Sequence, residues 1–231
     1  MLRATLHPHP TSIPISLPSF LLLGSQWPGT FCRTHPGGCH SDLHPLPQAF
    51  TIHGLWPDFG DGSWPQYCDP SRPFDLAALA PLRPALEREW PSLTGPHPKF
   101  WAHEWSRHGS CATPGGEPHP VFASEVAYFG TTLDLHHKMR IDDSLKAAGV
   151  DPRREGPFAT RAVEVALTRF LGATPRLMCV GEDIFEVHFC LDRDLHVLAC
   201  PAGTGAKERA YIADGPHPCG DKIRFPAPLP E

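Results

Sequence analysis

Two short segments of the chain hold residue types that could move protons. In Phe50-Thr51-Ile52-His53-Gly54-Leu55-Trp56-Pro57, a histidine stands at the end of a strand-like run. Gly54 beside it lets another chain or a ligand approach the backbone closely. A lone histidine on a strand is more often structural than catalytic, so this segment decides nothing by itself. The second segment is Phe100-Trp101-Ala102-His103-Glu104-Trp105-Ser106-Arg107-His108-Gly109-Ser110-Cys111. On a helix, Glu104 and His108 are i and i+4 and share a face. His103 and Arg107 share another, roughly 100° around. One helix then offers a carboxylate, two imidazoles and a guanidinium to a narrow sector. The plain alternative is a solvated face with an i,i+4 ion pair. Phe100, Trp101 and Trp105, threaded among the polar groups, argue against it, because they should pin the helix to a core.

A metal site is the next alternative. Zinc hydrolases use H-E-x-x-H, with both histidines on one helical face. Here the spacing is H-E-x-x-x-H. His103 and His108 are five apart and do not point easily at one ion. Without a metal, two histidines and a carboxylate suit the cleavage of RNA. That polymer carries its own nucleophile, the 2′-hydroxyl, beside the scissile phosphate. The protein need only remove that proton, supply one to the departing 5′-oxygen and stabilise charge on the phosphorane. An ordinary imidazole titrates near pH 6.5, so one can be neutral while another is charged. Glu104 could orient its partner or raise that partner's pKa. Arg107 and His103 could neutralise phosphoryl oxygens.

The elements that must position these groups follow from hydrophobic spacing. Strands are expected at Phe20–Trp27, ending at Pro28, and at Gln48–Leu55, stopped by Trp56-Pro57. Asp58–Gly62 and Pro65–Pro73 read as loops. Phe74–Trp90 has helical spacing that Pro81 and Pro84 must shorten or kink. Helices are expected over Lys99–His108, Val121–Met139, Asp142–Ala148 and Phe158–Leu171, the last ending at Gly172. The period then changes, and Arg176–Val180, Ile184–Leu191 and Leu195–Cys200 alternate like antiparallel strands. The expected class is α+β, an antiparallel sheet flanked by several helices.

Composition sets limits on partners. The chain has 231 residues and a net charge of −5 with histidines neutral. Proteins that coat nucleic acid electrostatically are usually basic, so an RNA ligand must be held by a local site. No run approaches the roughly 18 apolar residues of a membrane span. The 8 cysteines are dispersed, with no C-x-x-C pair, which favours four disulfides and an oxidising compartment over a metal cluster. Residues 1–19 read as an N-terminal extension or degenerate signal region, since Pro8, Pro10, Pro14 and Pro18 interrupt the apolar character a signal needs. Residues 20–225 read as one domain, with a proline-rich tail at 226–231. Leu6–Pro18 and Phe225–Glu231 are expected to be extended or frayed. The sequence contains no asparagine, so it offers no N-glycosylation site.

Phe50–Pro57 and Phe100–Cys111 together resemble the two active-site motifs of the ribonuclease T2 family of acid, base-nonspecific ribonucleases. The likeness extends from Gln26-Trp27-Pro28-Gly29 to the region of Cys219. It implies an α+β fold and cleavage of single-stranded RNA to 2′,3′-cyclic phosphates and then 3′-phosphates, with no cofactor or metal. By resemblance His53 and His108 match the catalytic histidines, with His108 as base and His53 as acid, and Glu104 matches the catalytic glutamate. His103 matches a phosphate-contacting histidine. Arg107 stands where the family usually has lysine, which keeps the charge but replaces a compact ammonium with a planar fork. Trp56 and Phe100 match residues that stack on the base 5′ of the cut, Asp58 a position that can hydrogen-bond that base, and Trp64 reads equally as a further aromatic wall or as core. The pairing implied is Cys32–Cys39, Cys68–Cys111, Cys179–Cys219 and Cys190–Cys200. A monomer of the secretory pathway, extracellular or in a vacuole or lysosome, is the expected setting. Two rivals stand beside this reading. One is an RNA-binding protein on the same fold that has lost cleavage, and the other a metal-dependent hydrolase using His103 and His108.

Overall fold

The computed structural model describes residues 18–35, 37–39, 45–112, 119–154, 156–201 and 215–227. The expectations for residues 6–17 and for the last four residues lie outside these. The first strand, β1 (Phe20–Gln26), leads into a short helix, α1 (Pro28–Thr34), and then β2 (Thr51–Asp58). After a 3₁₀ turn at Leu76–Leu79 come α2 (Arg83–Glu89), α3 (His97–Arg107), α4 (Glu125–Met139) and α5 (Ile141–Ala147). The remainder is β3 (Phe158–Ala159), α6 (Thr160–Leu171), β4 (Arg176–Val180), β5 (Asp183–Leu191), β6 (Val197–Leu198), β7 (His217–Pro218) and β8 (Lys222–Ile223).

The main sheet runs β2-β1-β5-β4-β7, with β6 added to β5. Its strand pairs are antiparallel, so the fold is the expected α+β class. Leu21, Leu23, Ile52, Leu55, Val187, Phe189 and Leu191 turn to one face and form the core with residues such as Tyr128 and Phe129 of α4. Phe20, Leu22 and Cys190 turn the other way and cluster with Trp56. The sheet therefore has a helix-covered face and a second face on which a site can be built.

Several boundaries move for local reasons. Strand β2 does not stop at Trp56-Pro57 but continues to Asp58, with Pro57 opposite Leu21. It is an edge strand, where a missing N–H need not break a ladder. Pro28, expected only to end β1, starts α1, because the first helical turn tolerates its fixed φ and absent N–H. The Phe74–Trp90 stretch is split by Pro81 and Pro84 into the 3₁₀ turn and α2. The Val121–Met139 stretch is split at Ser124, whose side chain caps α4 by accepting from Ala127 N. Phe158 opens in a strand rather than a helix, and Leu195–Cys200 contributes only the two residues of β6.

The four disulfides join Cys32–Cys39, Cys68–Cys111, Cys179–Cys219 and Cys190–Cys200, the pairing the family resemblance implies. Cys68–Cys111 ties the loop after β2 to the end of α3. No helix among the described residues is long and apolar enough to cross a membrane.

The start of the C-terminal tail differs from its expected frayed state. Phe225 is 5% exposed and meets Trp27, Phe50 and Phe158 edge-on. Trp27 Nε1 donates to Pro226 O at 2.8 Å, and the Arg33 guanidinium donates to Ala227 O. Replacing Phe225 by Ala is expected to lower unfolding stability by about 3–5 kcal/mol, as emptying a core aromatic site does. Urea denaturation checks this, and a change below about 1 kcal/mol would show that the end of the chain is not part of the core.

Candidate active site

The site grows from an irregularity in β2. Gly54 pairs with Gly24, and Ile52 with Ser25, so His53 has no residue opposite it. A regular strand sends residues three apart to opposite faces. Yet Ile52 and Leu55 are both fully buried in the core. The bulge at His53 resets the alternation and aims a side chain, as bulges do. His53 and Trp56 consequently meet on the open face, their rings 4.9 Å apart and edge to face. The bulged backbone is tied from the core side by Trp90 Nε1, which donates to His53 O at 2.9 Å, and by Tyr128 OH, which donates to Leu55 O at 3.1 Å.

Two glycines make the floor. A β-carbon on Gly24 would lie 2.7 Å from the Trp56 indole. One on Gly54 would lie 2.2 Å from both Glu104 Oε2 and Trp56 Nε1. Only bare backbone leaves room for the hydrogen bond made there, Trp56 Nε1 donating to Glu104 Oε2 at 2.9 Å. The close approach expected at Gly54 is thus made by a carboxylate of this same chain.

Helix α3 delivers that carboxylate. Trp101 and Trp105 are almost wholly buried and hydrogen-bonded, to Trp90 O and Arg72 O respectively, so the aromatics do pin this helix to the core. The helix ends at Arg107, and His108 is its C-cap, with its N–H on Glu104 O. The i,i+4 partnership expected between the Glu104 and His108 side chains gives way to other arrangements. Glu104 holds Trp56, while His108 Nδ1 is buried without a hydrogen-bond partner. The His108 ring instead lies 5.6 Å from Trp56, so both imidazoles neighbour the same indole.

The remaining expected residues surround this centre. The Phe100 ring is 6.1 Å from His53. Arg107 Nε donates to Gln66 Oε1 at 3.2 Å, in the loop closed by Cys68–Cys111. His103 stands on α3, exposed as a whole residue but with its ring partly screened by its neighbours. Trp64 and Asp58 line a narrow pocket with Leu22, Trp56, Pro57, His108 and His188. Asp58 accepts from Gly60 N at 2.8 Å, and burial raises its pKa.

Sequence reasoning missed two residues of β5. His53 Nδ1 is 2.6 Å from Glu186 Oε1, and the other oxygen of Glu186 is 2.5 Å from His188 Nε2. The available signal was the alternation of Ile184–Leu191. Val187 and Phe189 face the core, so Glu186 and His188 must share the open face.

Burial and pairing set the charges. Burial pushes Glu104 up to about 7, against the opposing pull of His53, the Trp56 hydrogen bond and Arg107. Burial also pushes His108 down to about 2, reinforced by Arg107, His53 and His103. His103 is lowered by burial and by the same cationic neighbours, Arg107 and His53. Burial would raise Glu186 too, but the charge of His53 and the hydrogen bonds of His188 and His53 outweigh it and hold Glu186 well below the usual carboxylate range. The site thus contains a neutral imidazole, a carboxyl that protonates near neutrality, and an anionic carboxylate on the other imidazole.

A family model described as the ribonuclease T2 family matches residues 18–200. This chain belongs to the ribonuclease T2 family. It is 31% identical over 218 residues to intracellular ribonuclease LX of Solanum lycopersicum, covering 90% of this chain and 84% of that one. It is 30% identical over 216 residues to extracellular ribonuclease LE of the same plant, covering 90% and 86%. The crystal structure of RNase NT in complex with 5′-AMP superimposes with a TM-score of 0.74 at 30% identity, covering 91% of this chain and 98% of that one. The reading of the chain as a ribonuclease T2 enzyme stands.

The same shifts govern how this ribonuclease T2 family member tolerates acid. His108 binds its proton near 6.5 when unfolded and near 2 when folded, so its contribution falls steadily as pH drops through that window. Glu104 has the opposite sign, because its folded pKa of about 7 exceeds 4.5, and it contributes more as pH falls toward 4.5. A second opposed pair acts alongside: His136 is lowered to about 4 and Asp142 raised to about 6, each mainly by burial. Below about 4 the losses at His108 and Glu186 run unopposed by either pair. The melting temperature is therefore expected to be nearly level from about pH 7 to 4.5 and to drop steeply below. Calorimetry across that range tests this, and a steep drop starting above pH 6 would contradict it.

Proposed function

We propose that this chain is an endoribonuclease that cuts single-stranded RNA by attack of its own 2′-hydroxyl, giving 2′,3′-cyclic phosphates and then 3′-phosphates, without a metal and with little base preference. The observation that carries this reading is the pair of unlike imidazoles beside Trp56: His53 against the Glu186 carboxylate, and His108 buried with an unpartnered Nδ1, a setting that favours its neutral form. A neutral imidazole can accept a proton from the 2′-hydroxyl, and one held cationic by a carboxylate can give a proton to the departing 5′-oxygen. His108 is the base and His53 the acid. For hydrolysis of the cyclic phosphate the roles reverse, with His53 deprotonating water and His108 returning a proton to the 2′-oxygen.

Glu104, protonated below about pH 7, can donate a hydrogen bond to a phosphoryl oxygen rather than repel it. Arg107 supplies positive charge, and His103, favoured in its neutral form, supplies a donor. Trp56, Phe100 and Trp64 offer ring faces to bases, with Asp58 as a polar contact beside them. Ring faces accept every base, which suits broad specificity. The 5′-AMP complex of RNase NT supports a nucleotide-sized ligand on this scaffold. Four disulfides support an oxidising, secretory-pathway location. The protein needs no second copy for this chemistry, which fits a monomer.

His53→Ala and His108→Ala should each cut the rate by roughly 10²–10⁴-fold while circular dichroism stays native. Wild-type cleavage of a short RNA should persist in excess EDTA and leave cyclic or 3′-phosphate termini by mass spectrometry. Retention of more than about a tenth of the rate in either variant contradicts the roles assigned. RNA binding without cleavage would favour a recognition protein, and loss of activity in EDTA a metal hydrolase.

The pH–rate profile should be highest on the acid side of neutrality. Its basic limb reflects loss of the His53 cation and of the Glu104 proton. Its acid limb should reach far down, because His108 stays neutral to about pH 2. A rate still rising above about pH 9 is incompatible with two imidazoles sharing the work.

A further inference from the structure

The carboxylate on His53 comes from β5, 133 residues beyond the histidine and outside both motif segments. Glu186 is 6% exposed and His188 7%, so the carboxylate and its second imidazole are almost fully removed from water while His53 stays partly open. A buried carboxylate that accepts on both oxygens, at 2.6 Å from His53 Nδ1 and 2.5 Å from His188 Nε2, has a fixed position. It lies across β1 from the bulge, where Glu186 pairs with Gln26. We propose that Glu186 is the positioning residue for the acid: held by His188, it keeps a proton on His53 Nδ1, so that Nε2, on the opposite edge of the ring, is the atom that gives and takes the transferred proton.

The other groups around His53 do not replace it. Glu104 is the second carboxylate that acts on His53, but its hydrogen bond goes to Trp56 and it is uncharged over most of the acid range. His103 and His108, the cationisable groups of α3 and its end, oppose a charge on His53. Glu186 is an anion in direct contact with His53 that offsets them.

The proton balance closes without Glu186 titrating. Cationic His53 gives its Nε2 proton as the P–O5′ bond breaks, while His108 has taken the 2′-hydroxyl proton. Neutral His53 retains Nδ1–H on Glu186. Its Nε2, having given up its proton, then takes one from the water that opens the cyclic phosphate, while His108 returns its proton to the 2′-oxygen. Both imidazoles end as they began.

This inference rests on the acid role of His53 proposed above, and its test separates the two. In wild-type protein labelled with ¹⁵N-histidine, neutral His53 should be the Nδ1–H tautomer. The Nε2–H tautomer overturns the proposal whether or not the protein cuts RNA. Glu186→Gln should lower kcat about tenfold or more with KM little changed, and should move the basic limb of the pH–rate profile about 1–3 units toward acid, the range for losing an opposite charge in contact. Glu186→Asp should return part of that shift. If Glu186→Gln is folded and its basic limb stays where the wild type has it, Glu186 is only structural and the proposal fails. If Glu186→Gln does not fold, the wild-type tautomer alone decides.

Discussion

A β-strand changes sides at every residue, and β2 breaks that rule once. Without the extra residue at His53, Ile52 and Leu55 could not both reach the core, nor His53 and Trp56 both reach the open face. Everything in the site depends on this misstep. It points an imidazole along the sheet toward β5, lays an indole over two bare glycines, and leaves a gap into which α3 lowers a carboxylate. The irregularity persists because the core side holds it: Trp90 and Tyr128 grip the carbonyls of His53 and Leu55.

Differences of environment, not of residue type, divide the labour. Two histidines a few ångströms from one indole would compete for the same role in water. Here one sits on an anion and the other is dry with an unpartnered nitrogen. Two glutamates diverge in the same way. Glu104 has a single neutral donor and gains a proton easily, whereas Glu186 has an imidazole on each oxygen and holds its charge. Opposite shifts also offset one another across mild acid, so a site suited to low pH need not unfold there.

Much of this was legible in the residue order, and what was hidden has physical causes. Periodicity located most strands and helices because it reports burial, and α3 with its interleaved tryptophans was read as a pinned helix. The motif pair pointed to His53, Glu104 and His108, which the structure gathers around Trp56, and the resemblance built on it carried the cysteine pairing. Boundaries failed where proline acts by position: Pro57 is harmless on an edge, and Pro28 begins a helix instead of merely ending a strand. The partnership of Glu104 with His108 failed because the helix stops one residue too soon. Glu186 escaped notice because its partner is remote in sequence, and a bulge of one residue leaves no compositional trace. Phe225 escaped because a proline-rich end looks like fraying until something is found to pack on it.

The order in which β1 acquires its neighbours bears on how the molecule comes into being. Its flanking strands are β2, close by in sequence, and β5, more than 150 positions downstream, and Trp27 finds its acceptor 199 residues away at Pro226. Such distant pairings close late and slowly. A nascent chain can carry His53, Glu104 and His108 while His53 still lacks its Glu186 contact and the central strand its second partner. The central strand gains its second partner, and His53 its carboxylate contact, only when most of the chain has been made.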